Sequence, residues 1–435
     1  MMHPDLSFDQ APPVSVPYRF FLTAPWFGVA AGLLLVIQGG DALVSRWTPQ
    51  ALMLTHLLTV GFMLQAMVGA LFQFIPVAAG GNVWQANRLA SLVHPVLAVA
   101  AVLLVLAFPS STPALFHAAA GLFAIALGSY GLIVGIALWR TPAQGATILT
   151  LRVALFGLMV TATLGVVLAI GLGLQKSLDL FEWTNVHAAW GLGGWALMLI
   201  AGVSYFVVPM FQLTPKYPAW LTRTLPWAML AVLCLWSSQL IGDGFVWLRG
   251  RIWLMGLLVA TTWGVVTLRL QFRRRRKVPD ITLTFFRGGM LSLVALFISA
   301  LLFEVNPNWG THPRADVWLG VLILQGVFVS VINGMLYKIM PFLNWLHLQR
   351  LCGLTVVPPN MKKMIPDVSM FWQMRLHFSA LALMLCSVVW PILTRPAGAL
   401  FALSCAWMGV NLLIGVKSYR QFKVQILASG AGSES

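Results

Sequence analysis

The stretch Gly61–Pro76 reads GFMLQAMVGALFQFIP, and two later stretches repeat its pattern. Gly194–Pro209 reads GWALMLIAGVSYFVVP, and Gly326–Pro341 reads GVFVSVINGMLYKIMP. All three fit G-x7-G-x2-[FY]-x3-P, through Gly61, Gly69, Phe72 and Pro76, then Gly194, Gly202, Tyr205 and Pro209, then Gly326, Gly334, Tyr337 and Pro341. The copies are offset by 133 and then 132 residues, a near-constant period over most of the 435-residue chain. Glycine and proline are common in membrane helices, so one copy alone would say little. Three in register describe a triplicated membrane protein.

Composition agrees. Only 9% of residues are charged, 59% are hydrophobic and the mean hydropathy is +0.86, whereas a soluble domain carries about 25% charged residues. Twelve stretches are apolar over the roughly 20 residues that a span needs. They lie at about 20–40, 50–77, 88–108, 114–139, 148–173, 183–209, 222–243, 246–271, 283–304, 317–341, 372–394 and 397–419. The motif falls on spans two, six and ten, so the repeat unit is four helices. Four being even, the copies share one orientation, as in parallel-repeat transporters. The expected fold is an all-α membrane protein of twelve transmembrane helices, built as three four-helix repeats with pseudo-threefold symmetry. The expected boundaries are a tail over residues 1–17, one membrane domain over 18–424 (repeats roughly 18–139, 148–271 and 283–419) and a disordered tail over 425–435.

The net charge of +16 is concentrated in alternate loops, with Arg273, Arg274, Arg275, Arg276 and Lys277 in one of them. With the N-terminus inside, 21 of the 27 Lys and Arg lie on the inner side, leaving Arg46, Lys176, Arg249, Arg251, Arg314 and Arg395 outside. That asymmetry predicts that both termini are cytoplasmic, and the expected location is a bacterial inner membrane. Each motif proline then marks the cytoplasmic end of its helix. Basic loops of this kind touch anionic lipid headgroups. No recognition motif or aromatic-basic interleaving accompanies the charge, so no nucleic acid is expected as a partner. The first residues are polar and the first apolar run is long enough to remain as a span, so no cleavable leader is expected. Cys234, Cys386 and Cys405 sit in apolar runs and, with Cys352, show no C-x-x-C spacing. They read as packing residues. The segment between spans ten and eleven, with NWLHLQR and VVPPNMKKMIPD, reads as a loop at the cytoplasmic interface.

Intramembrane ionisable groups are costly and usually functional, and here carboxylates are confined to helix ends and outer loops. Five histidines lie in spans: His56, His94, His117, His187 and His377. His56 precedes the second motif glycine by thirteen residues and His187 by fifteen. A two-residue offset turns a helix by about 200°, so the two side chains leave opposite faces of equivalent helices. Residues on equivalent helices of a ring can meet across one boundary only from opposite faces. His56 and His187 are therefore the candidate ligand pair for one metal-containing group, with His117 as a further candidate ligand. Gly191 and Gly194 fall within about 40° of His187. They offer either room beside a flat cofactor or a site of close helix packing. Met63 and Met67 lie within about 20° of His56, as core residues or as alternative ligands.

Three groups of four helices, with histidines near the outer ends of spans two and six, resemble the main subunit of haem-copper oxidases and nitric oxide reductases. In that family the second helix supplies a low-spin haem ligand, matched by His56, and the sixth a copper ligand, matched by His187. The H-P-E-x-Y of its sixth helix stands here as HAAWG, and the histidines of its seventh and tenth helices have no counterpart in spans seven and ten. A nearer resemblance is to NnrS-like membrane proteins, through YRFFLTAPWFGVAAG, HLLTVGFMLQAMVGALFQFIPV and HAAWGLGGWALMLIAGVSYFVVPMF. Their H-x-H-E and G-H-T-G-R stretches are absent.

The resemblance implies haem b, with copper as a further cofactor, and a role in respiratory electron transfer or nitric oxide response without oxygen reduction at a dinuclear centre. A diatomic gas or a respiratory electron donor would be the partner, and an enzyme of this kind would be an oxidoreductase. Two other readings stay open. One is a permease for a small neutral solute lined by Gln65, Gln325, Ser330 and Asn333. The other is an accessory protein for respiratory-complex assembly.

Overall fold

The structure, a computed structural model, describes residues 12–175, 179–240, 249–275, 277–278, 280–352 and 358–431. Among them no strand occurs. Twelve helices are long and apolar enough to cross a membrane. They are α1 Ser15–Leu43, α2 Pro49–Ala79, α3 Ala86–Ser110, α4 Pro113–Arg140, α5 Ala146–Gly173 and α6 Leu180–Gln212. The remainder are α7 Ala219–Leu240, α8 Gly250–Phe272, α9 Ile281–Val305, α10 Ala315–Leu351, α11 Asp367–Val389 and α12 Pro391–Ala428. In hydrocarbon every backbone N–H and C=O must be satisfied within the chain, which a helix does locally. Side chains cap several of the ends. Thr48 accepts from the Ala51 N–H at 3.1 Å ahead of Pro49, and Asp280 accepts from the Thr282 N–H at 2.9 Å.

The motif helices form the centre. In their most apolar eighteen-residue windows α2, α6 and α10 are 78%, 67% and 72% buried, against 33–56% for the other nine. The three converge on a small apolar cavity of about 60 Å³, lined by Ala66 and Met67 of α2, Leu199 and Val203 of α6, and Ile332 and Met335 of α10. Gln65, Gln325, Ser330 and Asn333 do not line it. Met63 and Met67 are both core residues, 2% and 4% exposed.

Local contacts recur with the period of the motif. A Cβ on Gly69 would lie 3.1 Å from the Pro17 carbonyl, one on Gly202 3.2 Å from Thr150 Cβ, and one on Gly334 2.9 Å from the Thr282 carbonyl. The partners Pro17, Thr150 and Thr282 are themselves 133 and 132 residues apart. In each copy the second glycine thus lets the motif helix close onto the first helix of its own group. Lipid tails are as apolar as leucine, so such contact, rather than a hydrophobic drive, holds membrane helices together. Each motif helix also contains a π-helical turn, at Leu57–Leu64, Trp190–Leu197 and Leu322–Val329. The first motif glycine is the fifth residue of each. Sequence periodicity gave no sign of these turns.

Two expectations need correction. Pro76 and Pro209 lie three residues from the ends of their helices, but Pro341 sits inside α10, which runs on to Leu351. NWLHLQR is therefore helix, not interfacial loop. The missing proline N–H is offset by tertiary bonds on the next turn: Tyr18 Oη donates to Asn344 Oδ1, and Asn344 Nδ2 donates to the Gly415 carbonyl at 2.8 Å. Similarly, the helix of α12 continues to Ala431, with Ile426 buried, so the described part of the expected tail 425–435 is helical. Residues 1–11 of the expected N-terminal tail lie outside the described residues.

The first and last helices close the bundle. A Cβ on Gly32 of α1 would lie 2.6 Å from the Ala402 nitrogen and 2.6 Å from the Gly398 carbonyl of α12. Gly32→Leu should therefore lower thermal stability in detergent by about 1–3 kcal/mol, the usual cost of overpacking. Gly128→Ala, with nothing within 4 Å of the added carbon, should leave the melting curve unchanged.

At the face that carries the chain termini, Lys338 Nζ lies 3.4 Å from Asp280 Oδ2. Burial raises the Asp280 carboxyl pKa, but Lys338 and the bonds from Thr282 and Leu283 outweigh it and hold the group below its ordinary value. A depressed carboxylate stabilises the fold above its unfolded pKa of about 3.9 and loses that contribution as pH falls through the folded value. Melting temperature should accordingly drop below about pH 4, and less steeply in Asp280→Asn than in the parent.

Candidate functional site

His56 ends the α-helical first part of α2, immediately before its π turn, and His187 lies three residues before the π turn of α6. The structure brings them together. Their ring centroids are 6.5 Å apart and their planes differ by 19°. Two metal–imidazole bonds of about 2 Å, with roughly 1 Å from each nitrogen to its ring centre, add to about 6 Å. The separation is of the size that two imidazoles sharing one metal ion would have.

Both rings are held in the same tautomer. His56 Nδ1 is 2.8 Å from the Leu52 carbonyl of its own helix, and His187 Nδ1 is 3.1 Å from the Thr161 carbonyl of α5. A carbonyl can only accept, so each Nδ1 carries the proton, and in the neutral ring the lone pair is left on Nε2. A backbone carbonyl on the far nitrogen is the usual support of a metal-binding histidine. Both side chains keep some accessible surface rather than being sealed in.

The walls are apolar. The Phe108 ring of α3 lies 5.1 Å from that of His56, and Phe116 of α4 stands edge-on to Phe108 at 5.7 Å. Below His187 lies Gly165 of α5, where a Cβ would be 3.0 Å from His187 Cε1. Helices α2 to α6 thus all contribute to the site.

Gly191 and Gly194 do not open onto free space: Thr161 of α5 lies beside Gly191, while Trp190, Leu233 of α7 and Gly157 of α5 surround Gly194. A Cβ on Gly191 would be 3.2 Å from Thr161 Cγ2, and one on Gly194 3.4 Å from Gly157 Cα. The glycines bring α6 close enough to α5 for His187 to reach the Thr161 carbonyl.

His117 stands apart. It is exposed and lies against Gly173, eight residues beyond Gly165 on α5, a rise of about 12 Å. Neither His94 nor His377 belongs to the pair. His94 Nε2 meets Thr23 Oγ1 at 2.8 Å, and His377 Nε2 meets Ser330 Oγ at 2.8 Å. On α10 the positions that correspond by the repeat period to His56 and His187 are Val321 and Leu319. Thr161, Gly165 and Phe108 were not legible as site residues, because a backbone carbonyl, a glycine and a phenylalanine in apolar spans carry no chemical signature.

Among the described residues no group of three or more His, Cys, Asp or Glu is placed to hold a metal ion. A bare ion at this pair would have two protein ligands, whereas a haem would bring its own donors and would call only on His56 and His187. The donor set therefore fits haem. No protein-family model matches the chain, and no curated protein matches it.

The crossing of α5 and α6 supports the site, and the backbone of Gly194 leaves no room for a side chain on Gly157. Gly157→Val should push α6 off α5, break the His187–Thr161 bond and cost about 1–3 kcal/mol. Thermal melting in detergent measures this. Gly121→Ala, in open space on α4, is the neutral control.

Proposed function

We propose that the protein is a multi-pass membrane protein that binds haem b through His56 and His187 and serves respiratory electron transfer. The observation that carries this reading is the pair of neutral imidazoles, 6.5 Å apart and nearly parallel, each with a backbone carbonyl on Nδ1. Haem held by both His56 and His187 would supply one-electron redox chemistry suited to electron transfer rather than gas activation. The chain's own residues do the rest. Leu52 and Thr161 fix the tautomer and plane of each ring through their carbonyls. Phe108 and Phe116 supply apolar walls that keep water from the site. Gly157, Gly191 and Gly194 set the approach of α5 and α6 on which the position of His187 depends.

In this proposal the chain is a relative of haem-copper oxidases and NnrS-like proteins, with its three groups of four helices arranged about an axis along the membrane normal. In the same reading it resides in a bacterial inner membrane, and the basic loops support an orientation with both termini in the cytoplasm. Its partners are the lipid bilayer and a respiratory electron donor. A diatomic gas such as nitric oxide becomes a partner only where one histidine yields its place.

The test is the visible spectrum of protein purified from haem-replete cells. Dithionite should give a sharp, low-spin reduced spectrum with a Soret band, unchanged by carbon monoxide. His56→Ala and His187→Ala should each lower haem affinity by at least about tenfold, or convert the spectrum to a high-spin, carbon monoxide-reactive form. A folded, colourless protein would overturn the proposal. A colourless protein with one copper per chain, lost in either variant, would assign the pair to copper instead.

A further inference from the structure

Helices α10, α11 and α12 hold a set of buried polar side chains that the histidine pair does not use. On α11, Ser369, Gln373 and His377 follow at four-residue spacing and so share one face, each about 6 Å farther from the termini face of the bundle. Ser369 is part-buried, whereas Gln373 and His377 are 0% exposed. Each has a polar partner at its own level. Ser369 Oγ donates to Asn411 Oδ1 at 2.6 Å, and Asn411 Nδ2 donates to Tyr337 Oη at 2.7 Å. Gln373 Nε2 donates to Ser404 Oγ at 3.1 Å, and His377 meets Ser330 Oγ at 2.8 Å.

Within each level the groups are bonded, but between levels they are not. Gln373 Oε1, His377 Nδ1 and Asn333 Oδ1 are buried with no hydrogen-bond partner, as is Gln325 Nε2. For His377 no choice of tautomer removes the deficit. If Ser330 donates to the Gln325 carbonyl at 3.2 Å, it accepts from Nε2–H, and the Nδ1 lone pair is unpaired. If Ser330 donates to Nε2, then Nδ1–H is unpaired. In the middle of a bilayer such groups are satisfied by bound water or they are not tolerated. One water accepting and donating over about 2.8 Å on each side spans nearly 6 Å, which is the rise from one level to the next.

Beyond His377 the face is apolar until Ser387, whose hydroxyl is satisfied by the Met384 carbonyl of its own helix. Leu381 is the next residue on it, and Leu381 Cδ1 would lie 3.8 Å from a Cβ on Gly326 of α10. Met384, 3% exposed, follows one turn farther out. The file has one open end and one apolar end.

We propose that Ser369, Gln373 and His377, with their partners on α10 and α12, line a water-filled half-channel that admits water from the termini face to His377. A water beside His377 would donate to the Nδ1 lone pair when Nε2–H donates to Ser330, and would accept from Nδ1–H when Ser330 donates to Nε2. The channel is independent of the haem reading.

Hydroxyl-radical footprinting of the intact protein in detergent, in ¹⁸O-labelled water, tests it without any substitution. His377 and Tyr337 should take up label several-fold more than Met290, which is equally buried at 0% exposure and intrinsically more reactive. Labelling at or below the level of Met290 would overturn the channel. A second variant tests the route. Ser369→Leu, at the mouth, should abolish labelling of His377 in a protein that still melts cooperatively, at a temperature lowered by loss of the bonds to Asn411 and from Trp407. Undiminished labelling in that folded variant would place the water elsewhere and overturn the assignment of the path.

Discussion

The structure depends on the close approach that glycine permits between each motif helix and the first helix of its own group. Gly69 on Pro17, Gly202 on Thr150 and Gly334 on Thr282 are one contact made three times. In water, an amphipathic face would bring helices together. In lipid that drive is absent, and dense van der Waals contact between backbones replaces it. Because the contact fixes each motif helix within its own group, the three motif helices can also meet one another, at the cavity formed by α2, α6 and α10. A side chain at any of these glycines would have to be accommodated by displacing the very helix that carries the histidine or the polar face.

Onto this frame the π turns add a common distortion. Each inserts extra backbone per turn just before the second motif glycine, which changes the phase of everything N-terminal to it. His56 and His187 lie on that upstream side. Their angular relation was reasoned from straight-helix geometry, and it agrees with the observed pairing because both helices carry the same π turn at the same register. A shared distortion cancels in a comparison between copies. The position of each ring against its surroundings does not cancel, and for that the Thr161 carbonyl and the Phe108 ring had to be seen in place.

The copies divide their chemistry. The first and second groups contribute the histidine pair, while the third has Leu319 and Val321 at the matching positions and gathers buried glutamine, asparagine and serine instead. One set of contacts therefore supports two different polar features, far enough apart in the bundle to be altered independently. Small residues at the crossings keep the frame constant, and the positions facing inward above and below them are free to differ.

Local sequence was enough to determine the twelve spans and the repeat period, because hydropathy over twenty residues and the spacing of glycines are properties of short stretches. It also singled out His56 and His187, since a basic side chain in hydrocarbon is rare. Tertiary structure alone decided the rest. The 6.5 Å between the two rings joins residues 131 positions apart, and side chains of α5 and α7 rather than open space fill the gap beside Gly191 and Gly194. Pro341 does not end its helix, because Tyr18 and the Gly415 carbonyl hold Asn344 on the turn beyond it. The face formed by Ser369, Gln373 and His377 carried no signal in hydropathy, which averages three polar side chains into an apolar span. Only packing shows that all three turn inward, away from lipid, where their unpaired atoms require water.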